Sequence, residues 1–405
     1  MSRLHDLLDQ VAVRVPTPAG GYERTRQRAK RRILLRRLRA GVVALLAAAV
    51  PVLVVARMDA RTIPHPSTSN PNPWSNFAPG LQSIPPLPQD RIGVSAVWTG
   101  EELVVWGGAV RDGAQAFNDG FAFDPEASAW EPLPASPLAP RYFAGAVWTG
   151  KEVLIWGGVD DQSSALADGA AYNPTTQTWR VLPVAPIAGR RPLVALWTGH
   201  QMLIWGSPGS LGPTTVYGAA YDPGSNSWTL LPDPPGAPTA GQGVWTGTNV
   251  IAIGPQRSQA SQPTILEYDP AAGKWTFLPS PNLMPWTGVV WNGSSILAID
   301  DNARAETLNL DTNQWSRTEG PPLHAGEFGG PLMAFASGDT LVVAFGGEAV
   351  LSNGTWINLT DQLPTSHGVY TPVAAGDAIV LLTSGTSKDA PGRPAPIPIW
   401  VVQSG

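Results

Sequence analysis

Apolar and polar positions alternate in short runs from about residue 74 onward, and the runs recur. One unit reads RIGVSAVWTGEELVVWGG (Arg91–Gly108), a variable stretch, then GFAFDPEASAWEPLP (Gly120–Pro134). The next reads RYFAGAVWTGKEVLIWGG (Arg141–Gly158) and GAAYNPTTQTWRVLP (Gly169–Pro183). A third follows at Arg191–Gly206 and Gly218–Pro232. Each apolar run is four to five residues long and bounded by Gly, Pro, Asp or Asn, the pattern of short strands joined by turns. A unit therefore predicts four strands, a to d. Strand a ends in the Trp98 type, and a Thr-Gly turn leads to strand b, such as Leu103–Trp106. Strand c ends at Asp124-Pro125, where Asp accepts backbone N–H bonds and Pro presets φ. Strand d begins at Trp130 and ends at Pro132–Pro134.

The turn glycine recurs at Gly100, Gly150, Gly199, Gly247 and Gly293, then in degenerate form at Gly338 and Gly376. The spacings are 50, 49, 48, 46, 45 and 38 residues. A period near 50 marks a propeller or a solenoid, because a four-stranded unit cannot bury both faces without neighbours. There are seven a–b turns but only six strand-d tryptophans: Trp130, Trp179, Trp228, Trp275, Trp315 and Trp356. The seventh unit ends with PIPIWVV (Pro396–Val402), which fits a strand c with nothing after it. Trp74, followed by Pro85-Pro86-Leu87-Pro88 and Arg91, echoes Trp130 to Arg141. The expectation is a seven-bladed ring whose last blade takes its outer strand from Trp74–Pro88, which removes exposed sheet edges.

The apolar run, the Gly-Gly pair, the strand-c aromatic (Phe123, Tyr172, Tyr221, Tyr268) and the Trp six or seven residues on resemble the kelch repeat. The seven-fold form is similar to the central domain of galactose oxidase. The resemblance spans roughly residues 74–405 and implies an all-β, seven-bladed kelch-type β-propeller. The Gly pair decays to Gly206-Ser207, to Gly254 and to Asp300-Asp301, so blades four, five and seven are expected to be less regular. It returns as Gly346-Gly347.

Composition changes the picture at the N-terminus. Residues 1–39 hold 11 Lys/Arg against three acids, a charge of +8; the remainder holds 15 basic and 28 acidic residues, a charge of −13. An acidic body excludes nucleic acid as its partner, since phosphate neutralisation needs clustered Lys/Arg. Ala40–Ala56 is a run of 17 uncharged residues between Arg39 and Arg57, at the short end of what spans a bilayer. The basic excess before it predicts a cytoplasmic tail (1–39), a transmembrane helix (40–57), a Pro/Ser-rich linker (58–73) and an exported propeller (74–405) in the cell membrane, a single-pass arrangement. A cleavable signal peptide ending at Val54-Val55-Ala56 is the competing reading, with an n-region of unusual length. Arg outnumbers Lys 22 to 4, the bias of a GC-rich bacterial genome.

Alternating strands put the b–c and d–a connections on one face and the a–b and c–d connections on the other. The first set is longer and varied (Ala109–Asp119, Val159–Asp168, Ser207–Val216, Pro255–Thr264), and variable loops on a rigid scaffold are where binding resides. Nine residues before each turn glycine, where strand a opens at the channel mouth, stand Arg91, Arg141, Arg190, Pro238, Met284, Gly329 and His367. Two readings stay open for these arginines. They form an electropositive funnel with His367 for a carboxylate or acidic sugar, or they pair with backbone and acidic loop residues as part of the repeat. His324 and Glu327 join the candidate ligand-binding set, although two His and one Glu are minimal for a metal. No metal site, cofactor or catalytic residue is assigned.

With no cysteine, copper-radical oxidase chemistry, which needs a Tyr–Cys cross-link, is excluded. SNGTW (Ser352–Trp356) only faintly resembles the Asp-box of sialidases, and no P-loop, GxSxG or HExxH occurs. The strand-end tryptophans read as packing between blades rather than as sugar platforms. The sequence thus predicts a non-catalytic binding module for a protein or cell-envelope glycan. The alternatives are a transmembrane sensor acting through the basic tail, and a sugar-active enzyme of mutarotase-like or sialidase-like type.

Overall fold

The computed structural model describes residues 54–56, 73–74, 80–110, 113–192, 194–206, 218–235, 242–256, 259–283, 288–291, 293–300, 302–321, 333–337, 340–344, 348–352, 355–358, 369–375, 378–384 and 399–403. The chain divides into two compact units, Met1–Ala49 and Val50–Gly405. The described residues belong to the second, which among them forms seven sheets: six of four antiparallel strands, and one in which a fifth, parallel strand is added to the four.

Blade one is Ser95–Trp98, Leu103–Trp106, Gly120–Asp124 and Ala129–Pro132. Blade two repeats it at Gly145–Trp148, Val153–Trp156, Gly169–Asn173 and Thr178–Val181. Strand a of each blade packs against strand a of the next, and that of blade seven (Val369–Ala375) packs against that of blade one, so the blades form a closed circle. Ser95 Oγ donates to the Ala144 carbonyl at 3.0 Å, one of the bonds joining neighbouring inner strands.

The turns form for the reasons their residues suggest. In the a–b turn Thr99 Oγ1 accepts from the Glu102 N–H at 3.0 Å and donates to the Glu102 carbonyl, while Gly100 takes φ +103°. Thr149, Thr198 and Thr246 do the same. In the c–d turn Asp124 Oδ1 accepts the N–H groups of Glu126 and Ala127. Asp222, Asp269 and Asn309 repeat that bond pattern.

Tryptophans sew each blade to the one before. The indole N–H of Trp130, Trp179, Trp228, Trp275 and Trp315 donates to the carbonyl of Pro85, Pro134, Pro183, Pro232 and Pro279, at 2.7–3.0 Å. The rings of Trp130, Trp179, Trp228 and Trp275 also meet their own strand-c aromatic, as Tyr172–Trp179 at 5.0 Å, and those of Trp179, Trp228 and Trp275 meet the strand-b tryptophan of the previous blade, as Trp106–Trp179 at 6.1 Å. Buried aromatic pairs of this kind contribute about 0.5–1.5 kcal/mol beyond area burial.

Ring closure uses an N-terminal strand. Gly80–Ile84 pairs antiparallel with Ile399–Gln403, the third strand of blade seven. The strand lies inside the expected Trp74–Pro88 stretch, but Trp74 is not the counterpart of Trp130. The register sets Leu81 opposite Val402, where blade one sets Trp130 opposite Phe123. Trp74 precedes the strand, is wholly buried, donates its indole N–H to the Ala375 carbonyl at 2.9 Å, and lies 5.1 Å from Trp98 and 6.2 Å from Phe123. It fills the seam between the last blade and the first.

Blades four and five depart from the pattern, each with a physical cause. In blade four the b and c strands lengthen to Val250–Gln256 and Gln259–Asp269, so the expected loop Pro255–Thr264 is mostly a projecting hairpin with a register shift at Pro255/Gln256. In blade five the b–c connection shrinks to residues 300–304. There the buried Asp300 carboxylate accepts the N–H groups of Asn302 and Arg304 and pairs with the Arg304 guanidinium, replacing the Gly pair with a capped turn.

Most of the expected transmembrane helix, residues 40–57, lies outside the described residues. Its end does not: Val54–Ala56 is a short strand parallel to Gln242–Trp245 on the inner edge of blade four. Among the described residues no helix is long and apolar enough to cross a membrane.

Candidate functional site

The b–c and d–a connections share a face, and the three arginines that open strand a stand on it. Arg91, Arg141 and Arg190 are all buried, at 5%, 0% and 2% exposure. Each donates to a carbonyl of its own blade sixteen residues on: Arg91 to Gly107, Arg141 to Gly157, Arg190 to Gly206, at 2.8–3.2 Å. Arg91 and Arg141 also carry a carboxylate partner, Asp119 and Asp168, each at 2.8 Å. The Arg141–Asp168 pair is bidentate, the geometry that suits a planar guanidinium. Hydrogen bonding from the arginines, the largest influence, holds both aspartates below the ordinary carboxylate range against the opposing effect of burial.

The backbone of the same arginines joins blades. The Arg141 carbonyl accepts the Gly108 N–H of blade one at 2.9 Å, and the Arg190 carbonyl accepts the Gly158 N–H of blade two at 2.9 Å. Gly107 and Gly157 sit at φ +69° and +75°, and a Cβ there would come within 2.8 and 2.7 Å of those carbonyls. Arginine and Gly pair are therefore two halves of one device, which ties each b–c loop to its own blade and to the next. An open funnel lined by all three guanidinium groups is not what the described residues form, because the groups are turned inward onto these partners. His324, Glu327 and His367 lie outside the described residues, as do Pro238, Met284 and Gly329.

The loops above this device are small folded hairpins. In blade one Val110 N–H donates to Gln115 O and Ala109 bridges both Ile92 and Ala116. In blade two Asp160 Oδ1 accepts the N–H groups of Gln162 and Ser164, and Val159 bridges Tyr142 and Ala165. Tyr142 and Phe143 are buried against Ala109, Ala116 and Val159.

Sequence reasoning missed the inner row of this face. Phe143 has φ +56°, the left-handed region that a bulky side chain rarely enters. Its repeat counterpart Gly93 has φ +64°. The Phe143 N–H donates to the Gly93 carbonyl at 2.6 Å, its ring lies where a Cβ on Gly93 would stand, and the Arg191 guanidinium sits over that ring at 3.6 Å from its centroid. Burial holds the Arg191 guanidinium down at about 10. The signal was the Arg190-Arg191 doublet, in which the second arginine takes the position of Ile92 and Tyr142.

On the opposite face Arg180 of blade two joins Glu152, Tyr221 Oη and the Asn226 side chain of blade three. Among the described residues no group of three or more His, Asp or Glu could hold a metal ion.

A family model, the KLHDC2/KLHL20/DRC7 Kelch-repeats domain, matches residues 93–303. No curated protein matches the chain. Among solved structures, one titled "Structure of YjhT" is similar at 12% identity and a TM-score of 0.48, covering 68% of this chain and 99% of that one.

Proposed function

The chain belongs to the KLHDC2/KLHL20/DRC7 Kelch-repeats domain family, and from that premise we propose that it is a binding module whose b–c/d–a face receives a protein or cell-envelope glycan. What supports this reading is the contrast between the two faces. The a–b and c–d turns are short and internally bonded alike from blade to blade. The b–c connections range from residues 107–119 in blade one to 300–304 in blade five, with a projecting hairpin in blade four. Diversity on one side of a fixed scaffold is the arrangement of a recognition surface. With no cysteine in the chain, a Tyr–Cys copper-radical centre cannot form.

We further propose that residues 40–57 anchor the propeller outside the cell membrane with residues 1–39 in the cytoplasm. The support is the uncharged run between Arg39 and Arg57 and the +8 charge that precedes it. Val54–Ala56 cannot both lie in a bilayer and pair with Gly243–Trp245, so membrane fractionation of the full-length chain decides between the two placements. Screening the detergent-solubilised chain against protein and glycan arrays tests the binding role; turnover of a sugar substrate without retained ligand would refute it.

A further inference from the structure

On the a–b/c–d face, the junction of blades two and three holds a guanidinium in a complete set of acceptors. Glu152 stands just before strand b of blade two, and Arg180 follows Trp179 in its strand d. Arg180 takes both Glu152 oxygens, donating from Nε at 2.9 Å and from Nη2 at 2.6 Å. Its Nη1 donates to Tyr221 Oη at 2.9 Å and to Asn226 Oδ1 at 3.2 Å on blade three. A bidentate carboxylate with a hydroxyl and an amide oxygen beside it matches the flat fork of one guanidinium. The Arg180 hydrogen bonds, the largest influence, hold the Glu152 carboxyl below its ordinary range against the effect of burial.

The same acceptors recur one blade earlier, at the junction of blades one and two. Glu102 stands just before strand b of blade one, and Tyr172 occupies in blade two the strand-c position of Tyr221. Gln177 has φ +53° where Asn226 has +50°, so the two c–d turns share a conformation. The arginine does not recur: Glu131 follows Trp130. Among the described residues no hydrogen bond or ion pair reaches the Glu102 carboxylate or the Tyr172 hydroxyl. Burial, the largest influence, and then the charges of Glu101 and Asp124 all push the Glu102 carboxyl up. Burial and then the Glu102 charge push the Tyr172 phenol up as well. Blades three and four carry neither half of the arrangement, with Gln201 and Asn249 before strand b and Thr229 and Thr276 after the tryptophan.

We propose that Glu102, Glu131 and Tyr172 form a docking site for an arginine side chain of a partner protein, whose guanidinium takes at this junction the place that Arg180 takes at the next. The inference goes beyond the role proposed for the b–c/d–a face and does not depend on it. What separates this site from a chance group of acids is the guanidinium already bound by the equivalent residues of blades two and three. The −13 charge of the body outside residues 1–39 draws cations toward it. An ammonium is a point charge without the planar fork, so arginine is favoured over lysine.

The test uses the full-length chain and N-acetyl-arginine amide, with N-acetyl-citrulline amide as a neutral probe of the same shape. A lone guanidinium at a half-exposed carboxylate binds weakly, with Kd on the order of millimolar, so the contact is one anchor of a larger interface and is followed by saturation-transfer NMR. Saturable binding of the arginine probe and none of the citrulline probe is expected. Glu102→Gln should weaken binding by about tenfold or more. Glu131→Arg, which supplies the cation of blade two from within the chain, should abolish it without lowering Tm. Adding Arg180→Ala to Glu102→Gln should restore binding, because the acceptors of blade two are then free for the probe. Equal behaviour of the two probes, unchanged affinity in Glu102→Gln, or no restoration in the double variant overturns the site. Equal binding of N-acetyl-lysine amide overturns the arginine assignment.

Discussion

The Trp74 indole N–H donates to the Ala375 carbonyl across 301 residues of chain, at 2.9 Å. The bond joins a residue that precedes blade one to the inner strand of the last blade. Around it Trp74 packs against Ile84, Leu103, Phe123, Val373 and Val380, so one cluster holds side chains from both ends of the propeller. Ring closure here is a matter of core packing as well as of the Gly80–Ile84 ladder.

Trp74→Ala should therefore cost about 3–5 kcal/mol, the usual loss for a fully buried tryptophan. Hydrogen exchange should find faster exchange in Ile399–Gln403 and Val369–Ala375 with blades two and three little changed. Uniform loss of protection would show that the ring opens as one unit and not at its seam.

Asp168→Asn tests the arginine device. It leaves the buried Arg141 guanidinium with neutral partners only; because Asp168 is half exposed, solvent moderates the loss to about 1–3 kcal/mol. The folded-state affinity of Asp119 and Asp168 for protons is depressed, chiefly by the arginine hydrogen bonds. Their contribution to stability is thus complete above the unfolded carboxylate pKa, near 4, and is lost as pH falls through the lower folded values. Denaturant titrations should show wild type losing stability below pH 4, and Asp168→Asn losing less over the same interval.

Two glycines separate conformational strain from close approach. Gly150 has φ +88° with nothing within 4 Å of a built Cβ, and Gly157 has φ +75° with the Arg190 carbonyl at 2.7 Å. Gly150→Ala should cost about 1–2 kcal/mol, from backbone strain alone. Gly157→Ala should cost more, because a backbone carbonyl of the next blade must move. Equal Tm shifts for the two variants would remove the close-packing role assigned to the Gly pair.

Trp179→Phe removes the bond to the Pro134 carbonyl while keeping most of the ring stack on Tyr172 and Trp106. A loss of about 1–2 kcal/mol is expected by chemical denaturation. A neutral result would mean that the repeated tryptophan serves packing alone.

The blade pattern was legible because every blade must solve the same local problems. Thr-Gly and Asp/Asn turns satisfy their own backbone donors, so they mark strand ends without reference to the rest of the fold. Closure was legible as a counting deficit, seven a–b turns against six tryptophans, yet the aromatic cue pointed to the wrong residue. Trp130 and Trp179 stand four residues before the proline carbonyl that receives the next indole, whereas Trp74 stands eleven before Pro85. That spacing distinguishes a seam-filling tryptophan from a strand-d one. The choice between ligand contact and internal pairing stayed open for the arginines because their partners lie far along the chain, although the constant sixteen-residue interval to Gly107, Gly157 and Gly206 was visible. The conformation of Phe143 was not, since it depends on Gly93 and Arg191 of the adjoining blades.

The most direct test of the central claim, that the b–c/d–a face binds, pairs array screening with two kinds of loop variant. In one, residues 110–116 of blade one are replaced by a short turn; in the other, Glu101 and Lys151 on the opposite face are changed to alanine. Ligands recovered by the full-length chain should be lost or weakened in the first and retained in the second. Retention in the first with loss in the second would place recognition on the wrong face and contradict the account.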